Sequence, residues 1–336
     1  MILRRLAVGG MLLMVMIGVL EVGARIIEHR MRPAYADTVC TSVGEESAVM
    51  PHADLGFWNR PGRHCTICVN NGDSLAFCST NLPDGSRWTG PRADTGSVSG
   101  TIVFLGGSLI YGHGIPDSCS IPYRVQQAIP TQRVINDAVN GRSTVQAWLR
   151  MKERMSQPLD TPVTFVYGYT SMHHARNTMA WSWWWPLHAY RSPLSDVRMP
   201  GIQRIPSGRV ELKHKSFSAW HPIGRVFSWS RLFTFLRSWA EGWNGQANRD
   251  ARLSMHLLRR MERLAHRFDG VSLLVLGVTD DPASSNVLFN SGRDISVDLA
   301  AVDLRGPEDQ LRTWDAHPNC CAVGKWEHEV SKLIRD

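Results

Sequence analysis

The sequence predicts an α/β fold built on a parallel sheet. Three observations carry that expectation. Short apolar runs recur at 101–105, 162–167 and 271–276, stretches of helical period separate them, and the first run ends in Gly106-Gly107. Runs that are apolar on both faces are what a parallel sheet covered by helices on both sides requires. The 336 residues, 43% hydrophobic and 20% charged, can fill one large core or two small ones and exclude a wholly disordered chain.

The N-terminus comes first. Arg4 and Arg5 precede an uncharged run over 6–20, which extends through Ala24 if Glu21 sits near the interface. That is a marginal bilayer span. A cleaved signal peptide is the rival reading, with Ala34-Tyr35-Ala36 as its small-residue site. Glu21, Arg25, Glu28, His29, Arg30 and Arg32 lie between the run and that site. A cleavage region is short and uncharged, so 1–30 is expected as a retained transmembrane helix. Arginines flank both ends, so the charge rule leaves the orientation unset.

Residues 37–99, rich in Gly, Asn, Asp, Ser and Pro, read as a β-rich lead-in of short strands and turns. Seven cysteines are present: Cys40, Cys65, Cys68, Cys78, Cys119, Cys320 and Cys321. Cys65, Cys68 and Cys78 form part of a zinc pattern, but no fourth ligand follows at zinc-ribbon spacing. Disulfides are the commoner meaning outside the cytosol, and an odd count leaves one thiol over. The cysteines therefore favour export.

The body, 100–336, then alternates. A strand over 101–105 is followed by a helix over 121–129 closed by Pro130, a strand over 133–139 and a helix over 146–155. A third strand over 162–167 leads into an insertion, 178–248, that holds eight tryptophans, among them Trp181, Trp183, Trp184 and Trp185. These either fill a satellite core or form a cap that stacks on sugars or dips into a membrane interface. Arg191, Arg198, Arg204, Arg209, Lys213 and Lys215 fall within it, suiting an anionic acceptor or lipid headgroup. An amphipathic helix over 251–268, strands over 271–276 and 295–302, and a closing helix over 323–334 complete the pattern. The net charge of +7 comes without a Lys/Arg block or a nucleic-acid module, so no nucleic-acid partner is expected.

In such sheets the functional groups sit at the carboxyl ends of the strands. Ser108 follows Gly106-Gly107 at the end of the first, and Asp315-Ala316-His317-Pro318-Asn319 stands before the last helix. A serine needs a base to become a nucleophile, and the imidazole needs a carboxylate to fix its tautomer. Alone, the first is a glycine turn with a solvated serine and the second a surface turn.

Together the blocks Gly106-Gly107-Ser108, Asn140-Gly141 after the second strand, and Asp315-Ala316-His317 resemble the SGNH (GDSL-like) hydrolase and acyltransferase superfamily over about 100–336. The resemblance implies a flavodoxin-like three-layer α/β/α sandwich, with Ser108 as nucleophile, His317 as general base and Asp315 as its orienter. It implies an oxyanion hole from the backbone N–H groups of Ser108 and Gly141. The family's third block places an Asn in that hole, where this chain has Thr170. Asn177, His173 and His174 are the substitutes in reach of that position. The Asp-x-His spacing, in place of Asp-x-x-His, occurs in relatives that include membrane-associated acetyltransferases. No metal or organic cofactor is implied. The expected activity is ester hydrolysis or O-acyl transfer on an acylated glycan or lipid, by an exported, membrane-anchored enzyme. The alternative is a non-catalytic envelope binding protein on the same fold. The motifs leave the acyl group, the acceptor and the oligomeric state unspecified.

Overall fold

The computed structural model describes residues 2–31, 38–43, 47–91, 98–160, 162–180, 183, 197–216, 230–233, 235–236, 246–278, 298–302, 307–312 and 315–335. A helix, α1 (Ile2–Met31), opens the chain. Its stretch Val8–Ile27 is long and apolar enough to cross a membrane, with a mean hydropathy of 2.0, and almost none of it is buried against the rest of the protein.

The lead-in is β-rich, as expected. β1 (Val39–Val43), β4 (Gly62–Asn70) and β5 (Asp73–Asn81) form an antiparallel sheet, while β2 (Val49–His52) and β3 (Gly56–Asn59) form a separate hairpin. The register sets Cys40 opposite Cys68 and Cys65 opposite Cys78. Both pairs are disulfide-bonded, and a third bridge joins Cys119 to Cys320. The three thiols weighed for zinc are thus spent in bridges, and exposed Cys321 is the free cysteine.

The body is built on five parallel strands: β6 (Thr101–Leu105), β7 (Arg133–Asn136), β8 (Val163–Tyr169), β11 (Val271–Val278) and β12 (Asp298–Val302). Their spatial order is β7-β6-β8-β11-β12. β6 is buried along its whole length, because its side chains alternate between two cores. Ile102 and Phe104 pack with Val125 of α3 (Ile121–Ala128) and with Val323 and Trp326 of α7 (Cys320–Arg335). Val103 and Leu105 pack with Ala147 and Met151 of α4 (Thr144–Met155) and with Leu258 and Met261 of α6 (Gln246–Ala265). Helices therefore cover both faces, and the apolar character of the strands has its cause in that burial.

Helix α4 starts two residues earlier than its apolar period indicates. Ser143 accepts from the Gln146 backbone N–H while Gln146 reaches back to Ser143, a capping box that fixes the start. Of the expected insertion over 178–248, the antiparallel hairpin β9 (Arg198–Arg204) and β10 (Val210–Ser216) is described. Trp183 alone of its eight tryptophans falls among the described residues, so the expected Trp-lined cap, and Arg191 with it, lie outside them.

The lead-in braces the body through buried charge. Arg87, fully buried, donates to Asp117, to the carbonyls of Tyr111 and Gly112 at 2.6 Å each, and to that of Ile115 at 2.8 Å. The Cys119–Cys320 bridge closes a separation of 201 residues between the 3-10 turn Asp117–Cys119 and the first residue of α7. Bridges over long separations typically stabilise by ~2–5 kcal/mol. Alkylation of the native protein without reductant, followed by mass spectrometry, is expected to modify Cys321 alone. Modification of Cys119 or Cys320 at full occupancy would refute the bridge, and zinc bound in stoichiometric amount would refute the two in the lead-in.

Candidate active site

The nucleophile candidate sits where strand β6 turns into the short helix α2 (Ser108–Tyr111). Gly106 makes that turn with φ +153, a conformation that L side chains rarely adopt, and a Cβ there would strike Ile110. Ser108 is the first helical residue, so its backbone N–H has no partner within the helix.

His317 lies in β14 (Asp315–Pro318), which pairs with β13 (Gln310–Arg312) just ahead of α7. Its Nε2 is 2.9 Å from Ser108 Oγ, and its Nδ1 is 2.6 Å from Asp315 Oδ1. The same Asp315 oxygen accepts from the His317 backbone N–H at 3.0 Å, which closes the two-residue spacing into a tight loop. Asp-x-His is therefore long enough for the carboxylate to reach the ring. Burial alone would raise the Asp315 carboxyl, but the hydrogen bonds and charge of His317 outweigh it and hold the group below its ordinary value. An ionised Asp315 fixes Nδ1 as the protonated nitrogen and leaves Nε2 to accept from the serine.

Gly141, the second oxyanion candidate, belongs to the loop after β7. The loop is pinned on both sides. Asp137 takes Arg150 at 2.8 Å and Arg154 at 2.6 Å, and Arg142 donates to the Phe57 carbonyl at 2.9 Å while stacking over Trp58. Among the described residues no backbone carbonyl takes the N–H of Ser108 or Gly141.

The three side chains proposed as substitutes for the missing Asn part company. Asn177 is fully buried and gives its two amide hydrogens to Thr144 and Ser254, while its oxygen accepts from the Val145 N–H. It has no hydrogen left for an oxyanion and acts as a tie between helices. His174 turns to the Tyr169 hydroxyl. His173 comes closest to the nucleophile's turn. Its Nδ1 is 2.7 Å from the Tyr167 hydroxyl, and its Nε2 lies 3.2 Å from where a Cβ on Gly107 would be. That Nε2 is buried and makes no hydrogen bond among the described residues. Thr170, at the expected Asn position, caps the turn into α5 (His173–Thr178) by accepting from the Met172 N–H at 3.2 Å.

Two residues at the site escaped the sequence reading. Arg176 donates to the Arg142 carbonyl, stacks over Trp183 at 4.2 Å, and brings Nη1 to 3.4 Å from the same Gly107 position. Its three-residue spacing from His173 on one helix face was the available signal. The other is His113, whose ring lies 4.7 Å from that of His317, centroid to centroid, with Phe77 edge-on behind it at 4.9 Å. Asn140 donates to its Nδ1 at 3.3 Å.

His113, Asp315 and His317 bring one ligand atom each within 4.8 Å of one another, the spacing a metal ion accepts. Both His317 nitrogens and the His113 Nδ1 are already engaged in hydrogen bonds, however, so an ion would have to break the set it joined. The arrangement fits proton transfer better than metal ligation.

Burial, reinforced by the neighbouring His317, pushes the His113 imidazole down from 6.5 to about 3, and burial pushes His174 to about 4. The folded protein keeps these rings neutral as the pH falls below 6.5, while the unfolded chain takes up protons there. The stability these rings contribute is therefore complete above about pH 7 and declines as the pH falls, down to about 3 for His113 and about 4 for His174, by up to ~1.4 kcal/mol per pH unit for each ring. His113→Phe keeps the stack and removes one titrating ring. Denaturant unfolding in detergent at pH 7 and pH 5 should show the variant losing about 2 kcal/mol less than the wild type over that interval. Equal losses would mean that His113 is protonated in the folded state.

No protein-family model and no curated protein matches the chain, so the case for its chemistry stands on this geometry.

Proposed function

We propose that this protein is a serine enzyme of SGNH type, an ester hydrolase or O-acyltransferase that works through an acyl-enzyme on Ser108. The observation that carries the reading is the chain Ser108 Oγ, His317 Nε2, Nδ1, Asp315 Oδ1, with links of 2.9 and 2.6 Å. The strand order β7-β6-β8-β11-β12, which is 2-1-3-4-5 counted along the sheet strands, and the helices on both faces support the flavodoxin-like three-layer sandwich implied by the resemblance.

In this reading Ser108 Oγ attacks the carbonyl carbon of an ester as its proton passes to His317 Nε2. The carbonyl π pair moves onto oxygen, where the N–H groups of Ser108 and Gly141 receive it. Collapse breaks the bond to the leaving alcohol, which takes the proton back from Nε2. Water or an acceptor hydroxyl then attacks the acyl-enzyme, its proton passes to Nε2 and returns to Ser108, and the acyl group leaves as free acid or new ester. For His173 to supply the side-chain donor of the hole, Tyr167 must give its one hydrogen to His173 Nδ1 rather than to Thr144 Oγ1, 2.8 Å away on its other side, which leaves the imidazole hydrogen on Nε2.

The apolar helix and the three disulfides support a single-pass anchor with the body in an oxidising, extracytoplasmic compartment. An enzyme held there meets acylated glycans and lipids, which makes these the substrate class.

Ser108→Ala and His317→Ala are each expected to lower turnover of an acyl ester by ~10³-fold or more, since nucleophile and base act as one unit. A fluorophosphonate probe should label wild-type protein at Ser108 only. Absence of labelling in folded protein would leave the non-catalytic binding protein as the reading. For the oxyanion hole, His173→Ala should cost ~10²–10³-fold in kcat with KM little changed, whereas Asn177→Ala should lower Tm and spare kcat. Near-normal kcat in folded His173→Ala would leave the hole to the backbone donors and Arg176. Partition of a labelled acyl group between water and added oligosaccharides distinguishes transferase from hydrolase.

A further inference from the structure

The stretch Val8–Ile27 of α1 is 20 residues long, about 30 Å of helix, which matches the apolar thickness of a bilayer. Glu21 lies inside it, about 9 Å along the axis from Ile27. A carboxylate at that level is costly unless it is partnered, and its partners mark what sits beside it. One is Arg25, a turn further along at 3.1 Å. The others come from 209 residues or more away in sequence. The Ser230 hydroxyl donates at 2.9 Å, and the backbone N–H groups of Arg231 and Leu232 donate at 2.8 and 3.0 Å.

These donors open a helical stretch. Residues 231–233 and 235–236 are helical, and the Ser230 Oγ also accepts from the Phe233 N–H at 3.0 Å. The first N–H groups of a helix lack internal partners and are normally met by a capping side chain or by water. Here a carboxylate of another helix meets them, which is what the interior of a bilayer, with no water to serve, demands of any backbone that enters it. Direct bonding to Glu21 also fixes the level: wherever α1 places Glu21, residues 230–232 lie at the same height.

The apolar side chains agree, and the exposed Arg231 at the same level has a stem long enough to carry its charge toward the headgroups. Phe235 and Leu236 are 47% and 50% exposed, and Val19, Leu20 and Val22 on α1 beside Glu21 are exposed to a similar degree. Apolar groups exposed on two touching elements at the level of a membrane span have lipid as their natural cover.

We propose that residues 230–233 and 235–236 form a non-spanning membrane contact, docked on α1 through Glu21 and immersed with Phe235 and Leu236 in the bilayer at the carboxyl end of the span. The occupant of the apolar face is lipid hydrocarbon. The inference needs α1 to span the membrane and is independent of the chemistry at Ser108.

The test uses the full chain in phosphatidylcholine vesicles. Phe235→Cys on a Cys321→Ser background is labelled with an NBD fluorophore, with Arg312→Cys labelled as an exposed control remote in sequence from both α1 and the segment. At position 235 the emission is expected to be blue-shifted, quenched by lipids carrying a doxyl group near the headgroup end of the chain, and shielded from aqueous iodide, with the control showing the opposite. Adding Glu21→Leu should cut the lipid quenching at 235 by at least half while the protein stays with the vesicles. A label at 235 that iodide reaches and lipid does not would overturn the proposal. Shielding that disappears when the protein is diluted in lipid would overturn it in favour of a second copy. Quenching unchanged by Glu21→Leu would remove Glu21 as the docking group.

Discussion

The hydrogen bond between Ser108 and His317 joins residues 209 positions apart, and much of the molecule is arranged to let that bond persist. Strand β6 delivers the serine at the carboxyl end of an internal strand that is rigid because both faces are packed. The histidine arrives on a two-strand loop with little core of its own, so its position must be set by ties. Asn319 accepts from the N–H groups of Cys321 and Ala322 and donates to the carbonyls of Glu308 and Gln310, which fastens the loop to the start of α7. Lys325 bonds Asp309 at 2.7 Å on the outside of the same turn. The Cys119–Cys320 bridge then fastens α7 to the segment that follows the serine's helix. A bond of about 1 kcal/mol net would not offset the entropy of closing so long a loop; the bridge and the packed helix absorb that cost, and the hydrogen bond sets only the final angstroms.

Arg87 holds the other side. A fully buried guanidinium is expensive to desolvate, and it persists because four acceptors meet it: one carboxylate and three carbonyls. Those carbonyls belong to Tyr111, Gly112 and Ile115, the chain that leaves the serine's helix and carries His113. Arg142 does the same for the Gly141 loop by reaching back to Phe57, and Gln146 donates to the Leu55 carbonyl at 2.7 Å. The lead-in thus supplies the second layer of contacts behind both loops of the site. It is structurally part of the body, although it reads in sequence as a separate, turn-rich segment.

That difference shows what a sequence can and cannot carry. The strands were legible because burial on both faces leaves a local mark, an unbroken apolar run such as Thr101–Leu105. The pair Ser108 and His317 was legible through the blocks around them. Helix α4 was misjudged at its start because a capping box is polar and lies outside the apolar period. The cysteine partners follow from strand register, in which Cys65 faces Cys78 and Cys68 faces Cys40, and register is a property of three strands at once. Asn177 illustrates the harder case. Its residue type and place suited an oxyanion donor, but which way a buried amide points depends on Thr144 and Ser254, and the second of these is 77 residues away. His113 was passed over because nothing local says that its ring will lie against that of His317.

In the proposed reading, the residue before the serine bears on what could stand in for the Asn that the resemblance leads one to expect. Gly107 has an ordinary backbone conformation, φ −94, so no strain calls for glycine there. The position is closely surrounded: a Cβ would come within 3.2 Å of His173 Nε2 and 3.4 Å of Arg176 Nη1. A Cβ at 107 would ask His173 to give by a few tenths of an ångström and would leave Arg176 in ordinary contact. The glycine and the two polar groups on α5 thus lie together at neighbouring strand ends. Thr170, where the resemblance would place the Asn, serves the turn that orients α5. Its small side chain accepts from the Met172 N–H, the helix starts at His173, and the three-residue step to Arg176 brings both groups to the same face. These positions together bring polar groups beside the nucleophile proposed above without the expected Asn.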